Sequence, residues 1–137
     1  MSPTAKSLAY LRKQGFLCAV VESWIPRCNL RRDLFGFADI LAVNSVNKKF
    51  LLVQTTSLGN VSARLKKARG RHELLIWLRA GGRFAVHGWD GNDLKVVGVN
   101  ERGMARVLVS KNRRKTRSRY HQPDLFEANG TTRGAKR

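Results

Sequence analysis

Asp39 and Gln54 are the two residues of this sequence that are best placed to do chemistry together. They lie in two short apolar runs, residues 39–43 and 50–56, and the polar residues 44–49 between the runs are typical of a hairpin turn. Because side chains alternate between the faces of a strand, the sequence predicts that Asp39 and Gln54 meet at one end of this hairpin. A carboxylate among aliphatic residues is costly unless a base or a metal ion pairs with it.

Two further acids are near enough in the sequence to join this pair. Glu22 ends a predicted first strand, and Asp33 lies in the charged stretch 29–37 that precedes Asp39. Asp33 is either a metal ligand or a structural carboxylate held by its neighbouring arginines, and the sequence leaves both readings open. Oxygen ligands of this kind are the ones that Mg²⁺ prefers.

The spacing of these residues resembles that of the PD-(D/E)XK nuclease superfamily, which includes Holliday junction resolvases and many phage and restriction endonucleases. In that family an Asp begins one strand, and a Glu or Asp, a spacer and a Lys end the next strand before a helix. Asp39 stands at the position of the first acid, Gln54 at that of the second and Thr56 at that of the lysine. The resemblance spans residues 3–90 in the order of the elements, although Gln54 and Thr56 depart from the family's motif.

The resemblance implies a metal-dependent nuclease that hydrolyses phosphodiester bonds in duplex or branched DNA, with Mg²⁺ or Mn²⁺ as cofactor. Gln54 offers only a neutral carbonyl oxygen and Thr56 only a hydroxyl, so we expect Glu22 to replace the missing negative charge. Lys67 or Lys66, on the following helix, would replace the missing positive charge. The expected catalytic residues are Asp39, Gln54, Thr56, Glu22 and Lys67, and the expected metal ligands are Asp39, Gln54, Thr55 through its backbone carbonyl, and Asp33.

The charge of the chain predicts the chemistry of its partner. Lys and Arg number 27 against 9 Asp and Glu, which gives a net charge of +18 in 137 residues. Such a field favours a polyanion, so we expect DNA, with RNA as an alternative. The residues expected to contact phosphates are Arg31, Arg32, Arg64, Lys66, Lys67, Arg71, Lys111, Arg113, Arg114, Lys115, Arg117 and Arg119.

Two other functions remain open on the same residues. A nuclease-fold protein that has lost catalysis and only binds nucleic acid would tolerate Gln54 and Thr56 in place of the family's residues. A basic structural protein of a ribonucleoprotein particle would need no metal site. No stretch approaches the roughly 18 apolar residues of a membrane span, so we expect a cytoplasmic protein of a bacterial, archaeal or phage-infected cell without a membrane partner. The family also admits a homodimer.

The pattern of apolar residues predicts an α/β fold with a mixed central β-sheet flanked by helices. This is the αβββαβ order of the restriction-endonuclease-like core, in a nuclease-like domain of residues 1–110. Residues 111–137 are predicted to form a basic tail that is disordered in the free protein. We further expect one long helix between Asn60 and Gly81, with His72 on its buried face, and an irregular segment at 29–37.

Overall fold

The structure, a computed structural model, describes residues 1–111, with side chains described up to residue 110. The expected α/β fold, a mixed central sheet flanked by helices, is confirmed. The strands are β1 (Leu17–Val20), β2 (Ser23–Ile25), β3 (Leu30–Arg32), β4 (Ile40–Asn44), β5 (Lys49–Ser57), β6 (Arg83–Asp90), β7 (Asp93–Val99) and β8 (Ala105–Lys111), and the helices are α1 (Pro3–Lys13), α2 (Val61–Arg69) and α3 (His72–Arg79).

Six strands form one sheet in the order β1-β4-β5-β6-β7-β8. Strands β5 and β6 run parallel, because α2 and α3 carry the chain back between them, and the other neighbours are antiparallel. In the β4–β5 hairpin Ile40 lies opposite Val53. This register places the polar residues before β4 and at the end of β5 at the same end of the sheet.

Helices cover both faces of the sheet, and the alternation of β5 explains why. Val53 packs with Leu11 of α1 on one face. Leu52, its neighbour in sequence, packs with Ala68 of α2 and Leu74 of α3 on the other face. Both faces of the central strands are therefore apolar, which is the pattern that buries a sheet between helix layers.

Helix α1 begins at Pro3, after a capping residue. The Ser2 hydroxyl caps it by accepting a hydrogen bond of 3.2 Å from the backbone N–H of Ala5, and Pro3 occupies its first turn. Gly15, at a φ of +93°, turns the chain out of the helix and into β1, a conformation that favours glycine.

The prediction of one long helix was wrong, because the chain breaks it into α2 and α3. Arg71 is extended, with φ −99° and ψ 123°, and the break changes which residues of the second half face the sheet. Leu74 and Leu78 are buried. His72, expected on the buried face, has a side chain that is 82% exposed and lies 3.3 Å from Glu73.

Two contacts of Arg71 accompany the break. Its guanidinium lies against the backbone of Gly36, where an added Cβ would be 2.8 Å from Arg71 Cζ, and forms an ion pair of 3.1 Å with Glu73. Gly36 also has a φ of +80°, so a side chain there is excluded by conformation as well as by space. Arg71 therefore lies outside α2, the helix that carries Arg64 and Lys67.

Segment 29–37, which was expected to be irregular, contributes β3 to a second, two-stranded sheet. Residues 23–25 pair antiparallel with residues 30–32 and form the β2–β3 hairpin, which here means residues 22–33. Exposed residues predominate in both strands. Without a buried face there is no alternation of apolar and polar residues, so the sequence carried no strand signal there.

Several predictions concern parts of the chain that lie outside the described residues. The expected disorder of the tail is one of them, and so are the phosphate contacts expected of Arg113, Arg114, Lys115, Arg117, Arg119 and the Lys111 side chain. Within residues 1–111, no helix is long and apolar enough to cross a membrane.

Candidate metal-binding site

Asp39 and Gln54 meet at the end of the β4–β5 hairpin, as their spacing predicts. Asp39 immediately precedes β4, and the register that pairs Ile40 with Val53 places it beside Gln54. The amide Nε2 of Gln54 donates a hydrogen bond of 2.7 Å to Asp39 Oδ2. Both residues are buried. Gln54 therefore acts on Asp39 as a hydrogen-bond donor.

Thr55 fixes the same oxygen of Asp39 from a second side. Its backbone N–H donates to Oδ2 at 2.8 Å and its hydroxyl at 3.1 Å. The Thr55 hydroxyl is also 2.9 Å from that of Thr4, which ties the arrangement to α1. Because all three donors contact Oδ2, the plane of the Asp39 carboxylate is held in one orientation. The Thr4 contact had no signal in the sequence.

Two further carboxylates converge on Asp39. Glu22 precedes β2 and Asp33 follows β3, so the two ends of the β2–β3 hairpin deliver them together. Oxygens of Glu22, Asp33 and Asp39 all lie within 4.8 Å of one another, and we call these residues the acid cluster. The sequence named Glu22 and Asp33 as separate candidates, and the structure places both beside Asp39.

The acid cluster changes the protonation of Asp39. Burial raises the pKa of its carboxyl to about 7, the hydrogen bond from the Thr55 backbone N–H opposes the increase, and the neighbouring Asp33 carboxyl adds to it. An ionised Asp39 would be a buried charge facing a second carboxylate. A cation bound among these oxygens would remove that cost.

Two basic side chains reach the acid cluster. The Lys67 ammonium of α2 lies 3.5 Å from Asp33 Oδ2, and the Arg31 guanidinium lies 3.7 Å from Glu22 Oε2. Of the two lysines expected to replace the family's lysine, Lys67 is the one that contacts an acid of the cluster. Its side chain is 48% exposed, so it can also contact a ligand from solvent.

Gly88 allows α2 to lie close enough to the sheet for this contact. A Cβ at Gly88 would be 2.2 Å from Val61 Cγ2, at the first residue of α2. Gly88 is paired with Thr56, which is buried at the end of β5. Thr56 thus lies under the start of α2, and a longer side chain at position 56 would have to extend past Val61.

Three of the other residues expected to contact phosphates lie on β3 and α2, the elements that carry Arg31 and Lys67. Arg32 is on β3, and Lys66 is on α2; both are exposed, whereas Arg64 of α2 is partly buried. Arg71 lies beyond the break and is engaged with Gly36 and Glu73.

A second buried polar group, which the sequence analysis did not identify, lies on the α1 face of the sheet. Ser7, His87 and Trp89 form it, and we call it the serine–histidine cluster. His87 Nδ1 shares a hydrogen bond of 3.0 Å with the Ser7 hydroxyl, which also accepts one of 2.8 Å from Trp89 Nε1. Burial lowers the pKa of His87 to about 4. The alternation of His87 and Trp89 along β6 was the available signal, and it carried no indication of Ser7.

Comparison of the chain with models of protein families, with characterised proteins and with solved structures found no match.

Proposed function

We propose that this protein is a divalent-metal-dependent nuclease that hydrolyses phosphodiester bonds in DNA. The observation that carries the proposal is the convergence of the acid cluster with Gln54 and Thr55 on one side and Lys67 on the other. Carboxylates supply metal ligands, and an ammonium group beside them supplies positive charge for a phosphate. The net charge of +18 supports a nucleic-acid substrate.

The residues of the acid cluster fit a hard divalent cation. They offer oxygen ligands, and two ligands on opposite sides of Mg²⁺ are about 4 Å apart. In an octahedral site only opposite ligands are that far apart and adjacent ones are about 3 Å apart, so the three oxygens, which lie within 4.8 Å of one another, would have to move together by about 1–2 Å to hold one ion. Burial and the neighbouring Asp33 carboxyl raise the pKa of Asp39, and a bound cation would favour the ionised form of this carboxyl.

Each residue then has a separate task in the proposed reaction. Asp39, Asp33 and Glu22 would hold the cation, which on binding supplies polarisation of the phosphate and a lower pKa for an attacking water. Gln54 and Thr55 keep the Asp39 carboxylate in place. Lys67 would stabilise the charge that develops on the phosphate, which the hydroxyl of Thr56 cannot do as well.

A catalytically inactive nucleic-acid-binding protein of the same fold is the second candidate. The observation that favours it is the uncharged pair Gln54 and Thr56 at the positions where the resembled family carries an acid and a lysine. In that case the acid cluster would be a structural remnant, and Lys67 would serve only as its counter-charge.

Cleavage of end-labelled linear, nicked, branched and single-stranded DNA in Mg²⁺, Mn²⁺ or EDTA tests the proposal. We expect metal-dependent cleavage that Asp33→Asn reduces strongly, because the substitution removes a charged ligand and the partner of Lys67. Asp90→Asn is the matched control, since Asp90 is an exposed acid at the last residue of β6 and is not a member of the acid cluster. Tight binding without cleavage of any of these substrates would instead support the inactive binding protein.

A further inference from the structure

The β2–β3 hairpin carries an exposed tryptophan next to the acid cluster. Trp24 lies directly opposite Arg31 in the pairing of the two strands. Continuing the same register by two residues pairs Glu22 with Asp33, in agreement with the proximity of their carboxylates. Since side chains two residues apart share a face, one face of the hairpin presents the Trp24–Arg31 pair followed by the Glu22–Asp33 pair.

The distance between the two pairs matches the size of a nucleotide. Two residues of a strand span about 6.6 Å, so the indole of Trp24 lies roughly one nucleotide away from the carboxylates. The Arg31 guanidinium, 3.7 Å from Glu22, lies between them. A phosphate at the acid cluster would therefore leave its base within reach of the indole.

The exposure of Trp24 is not required by the fold. Its residue is 53% exposed, although Trp is the largest apolar side chain, and the opposite face of the same hairpin carries Leu30 at 54%. Arg31 is paired with Trp24, and Arg27 and Arg32 are exposed residues of the same hairpin. An aromatic face among arginines is suited to a nucleobase and its phosphate, and less suited to an apolar protein surface.

Resting on the proposed nuclease function, we propose that Trp24 stacks on an unpaired base of DNA and thereby selects substrates with unpaired nucleotides beside the scissile phosphate. In a continuous duplex the faces of the bases are covered by their neighbours, and inserting a side chain costs several kcal/mol of unstacking. At gaps, flaps, branch points and single strands a base face is already free. The hairpin therefore favours these structures over a closed duplex.

Metal-free binding tests this selection without depending on catalysis. Three circular DNAs of the same circumference are compared in EDTA: a relaxed, covalently closed duplex, the same duplex with a short single-stranded gap in one strand, and a single strand. Trp24→Ala is expected to weaken binding to the gapped and single-stranded DNAs about tenfold, because loss of one base stack has that magnitude. Binding to the paired region of the closed duplex should change less than about twofold, and Trp24→Phe should retain most of the affinity since it keeps an aromatic face.

Phe50→Ala is the matched control. Phe50 is 55% exposed and lies near the start of β5, whereas Gln54 lies towards its other end, so Phe50 is at the opposite end of the sheet from the acid cluster. It should bind all three DNAs as the unsubstituted protein does. A 2-aminopurine placed in the gap should be quenched on binding, and Trp24→Ala should remove that quenching.

Equal loss of affinity for all three DNAs, or no loss for any, would overturn the proposal, and so would a Trp24→Phe variant as weak as Trp24→Ala. Thermal melting of each variant identifies a misfolded one, and the Trp24→Phe result then decides the case alone. If the protein never cleaves DNA but Trp24 still discriminates the gapped DNA, the nuclease proposal fails and the stacking proposal stands.

Discussion

The serine–histidine cluster and the acid cluster both bring polar side chains into the interior beside the sheet, and they differ in how those side chains are stabilised there. The serine–histidine cluster keeps His87 neutral, and its hydrogen bonds join it to Ser7 and through Ser7 to Trp89. In the acid cluster three carboxylates lie close together, and burial, with a smaller contribution from Asp33, raises the pKa of Asp39 to about 7. The polar groups of the serine–histidine cluster are hydrogen-bonded to one another without any ligand, whereas a bound cation would stabilise the ionised form of the acid cluster.

The difference separates a structural site from a functional one. Native proteins pair their buried polar groups, so a histidine bonded to a neighbouring hydroxyl requires no further explanation. A buried carboxyl whose pKa is raised costs stability when it is ionised, and such a cost is typical of sites that bind or react. We therefore expect substitutions in the two clusters to have opposite consequences for stability and activity.

The largest effect is expected on cleavage. Asp39→Asn keeps the size of the side chain but removes the charged ligand, so metal-dependent cleavage should fall about 1,000-fold, equivalent to several kcal/mol of transition-state stabilisation. Its metal-free affinity for DNA should stay the same or rise, because a negative charge near the phosphate is lost. Quantified cleavage rates and binding isotherms measure both.

The contrasting variant is Ser7→Ala. It removes the shared partner of His87 and Trp89, so it should lower the free energy of unfolding by about 1–3 kcal/mol. Cleavage at a temperature where the variant is folded should be unchanged. A Ser7→Ala protein that is stable but inactive would break the comparison, because the serine–histidine cluster would then belong to the functional site.

The pH dependence of stability sharpens the comparison next. In the metal-free protein, Asp39 titrates near pH 7 when folded and near 3.8 when unfolded, so the folded state binds more protons between these values. The free energy of unfolding should therefore fall as pH rises through that window, by about 4 kcal/mol at most. His87 has the opposite sign: its folded pKa of about 4 lies below its ordinary 6.5, so stability rises with pH between them, by about 3 kcal/mol at most.

Below pH 6.5 the contributions of Asp39 and His87 to stability oppose each other, and the substitution Asp39→Asn should reveal the contribution of His87. Denaturant unfolding of Asp39→Asn across this range should show stability rising with pH, since only the His87 contribution remains. Relative to the unsubstituted protein, the variant should gain stability as pH rises towards 7. A constant difference between the two proteins would show that the acid cluster does not raise the pKa of Asp39.

The sequence predicted the acid cluster better than it predicted the elements that deliver it. Asp39 and Gln54 follow from the alternation of two strong apolar strands, because a register between such strands is fixed by their buried faces. The β2–β3 hairpin has no buried face and gave no pattern, yet it delivers Glu22 and Asp33. Local sequence therefore predicted Glu22 or Asp33 close to Asp39, and it did not predict that the two would converge on Asp39 together.

The helix break had a similar origin. The apolar residues from Val61 onward are compatible with one continuous helix, and Gly70 alone is a weak signal to end it. The contact that accompanies the break joins Arg71 to Gly36, which is 35 residues earlier in the chain. A long-range contact of this kind is not encoded in helical periodicity. The same holds for the bond between Ser7 and His87.

Lys67 should matter to cleavage by about 100-fold, a smaller effect than that of Asp39. Its ammonium is 3.5 Å from Asp33, and we expect Lys67→Ala to slow cleavage while leaving the metal affinity the same or higher, because a competing cation is removed. Lys66→Ala is the matched control, since it deletes the same charge from the next residue of α2. Equal effects of both variants would mean that α2 acts only as a basic surface.

The smallest effect concerns the competition between protons and metal. Binding of Mn²⁺ or Mg²⁺ requires the ionised form of Asp39, whose pKa of about 7 keeps it largely protonated in mild acid. Affinity should therefore fall about tenfold between about pH 8 and about pH 6, with release of close to one proton per metal ion at the lower pH. Calorimetry in buffers of different ionisation enthalpy measures both quantities, and Asp90→Asn should leave them unchanged.

Gln54→Glu should raise the affinity at high pH by adding a charged oxygen ligand, and should steepen its pH dependence because another carboxylate then competes for protons. An affinity independent of pH would place the metal ion away from Asp39, and the contrast between the two buried clusters would then have no functional meaning.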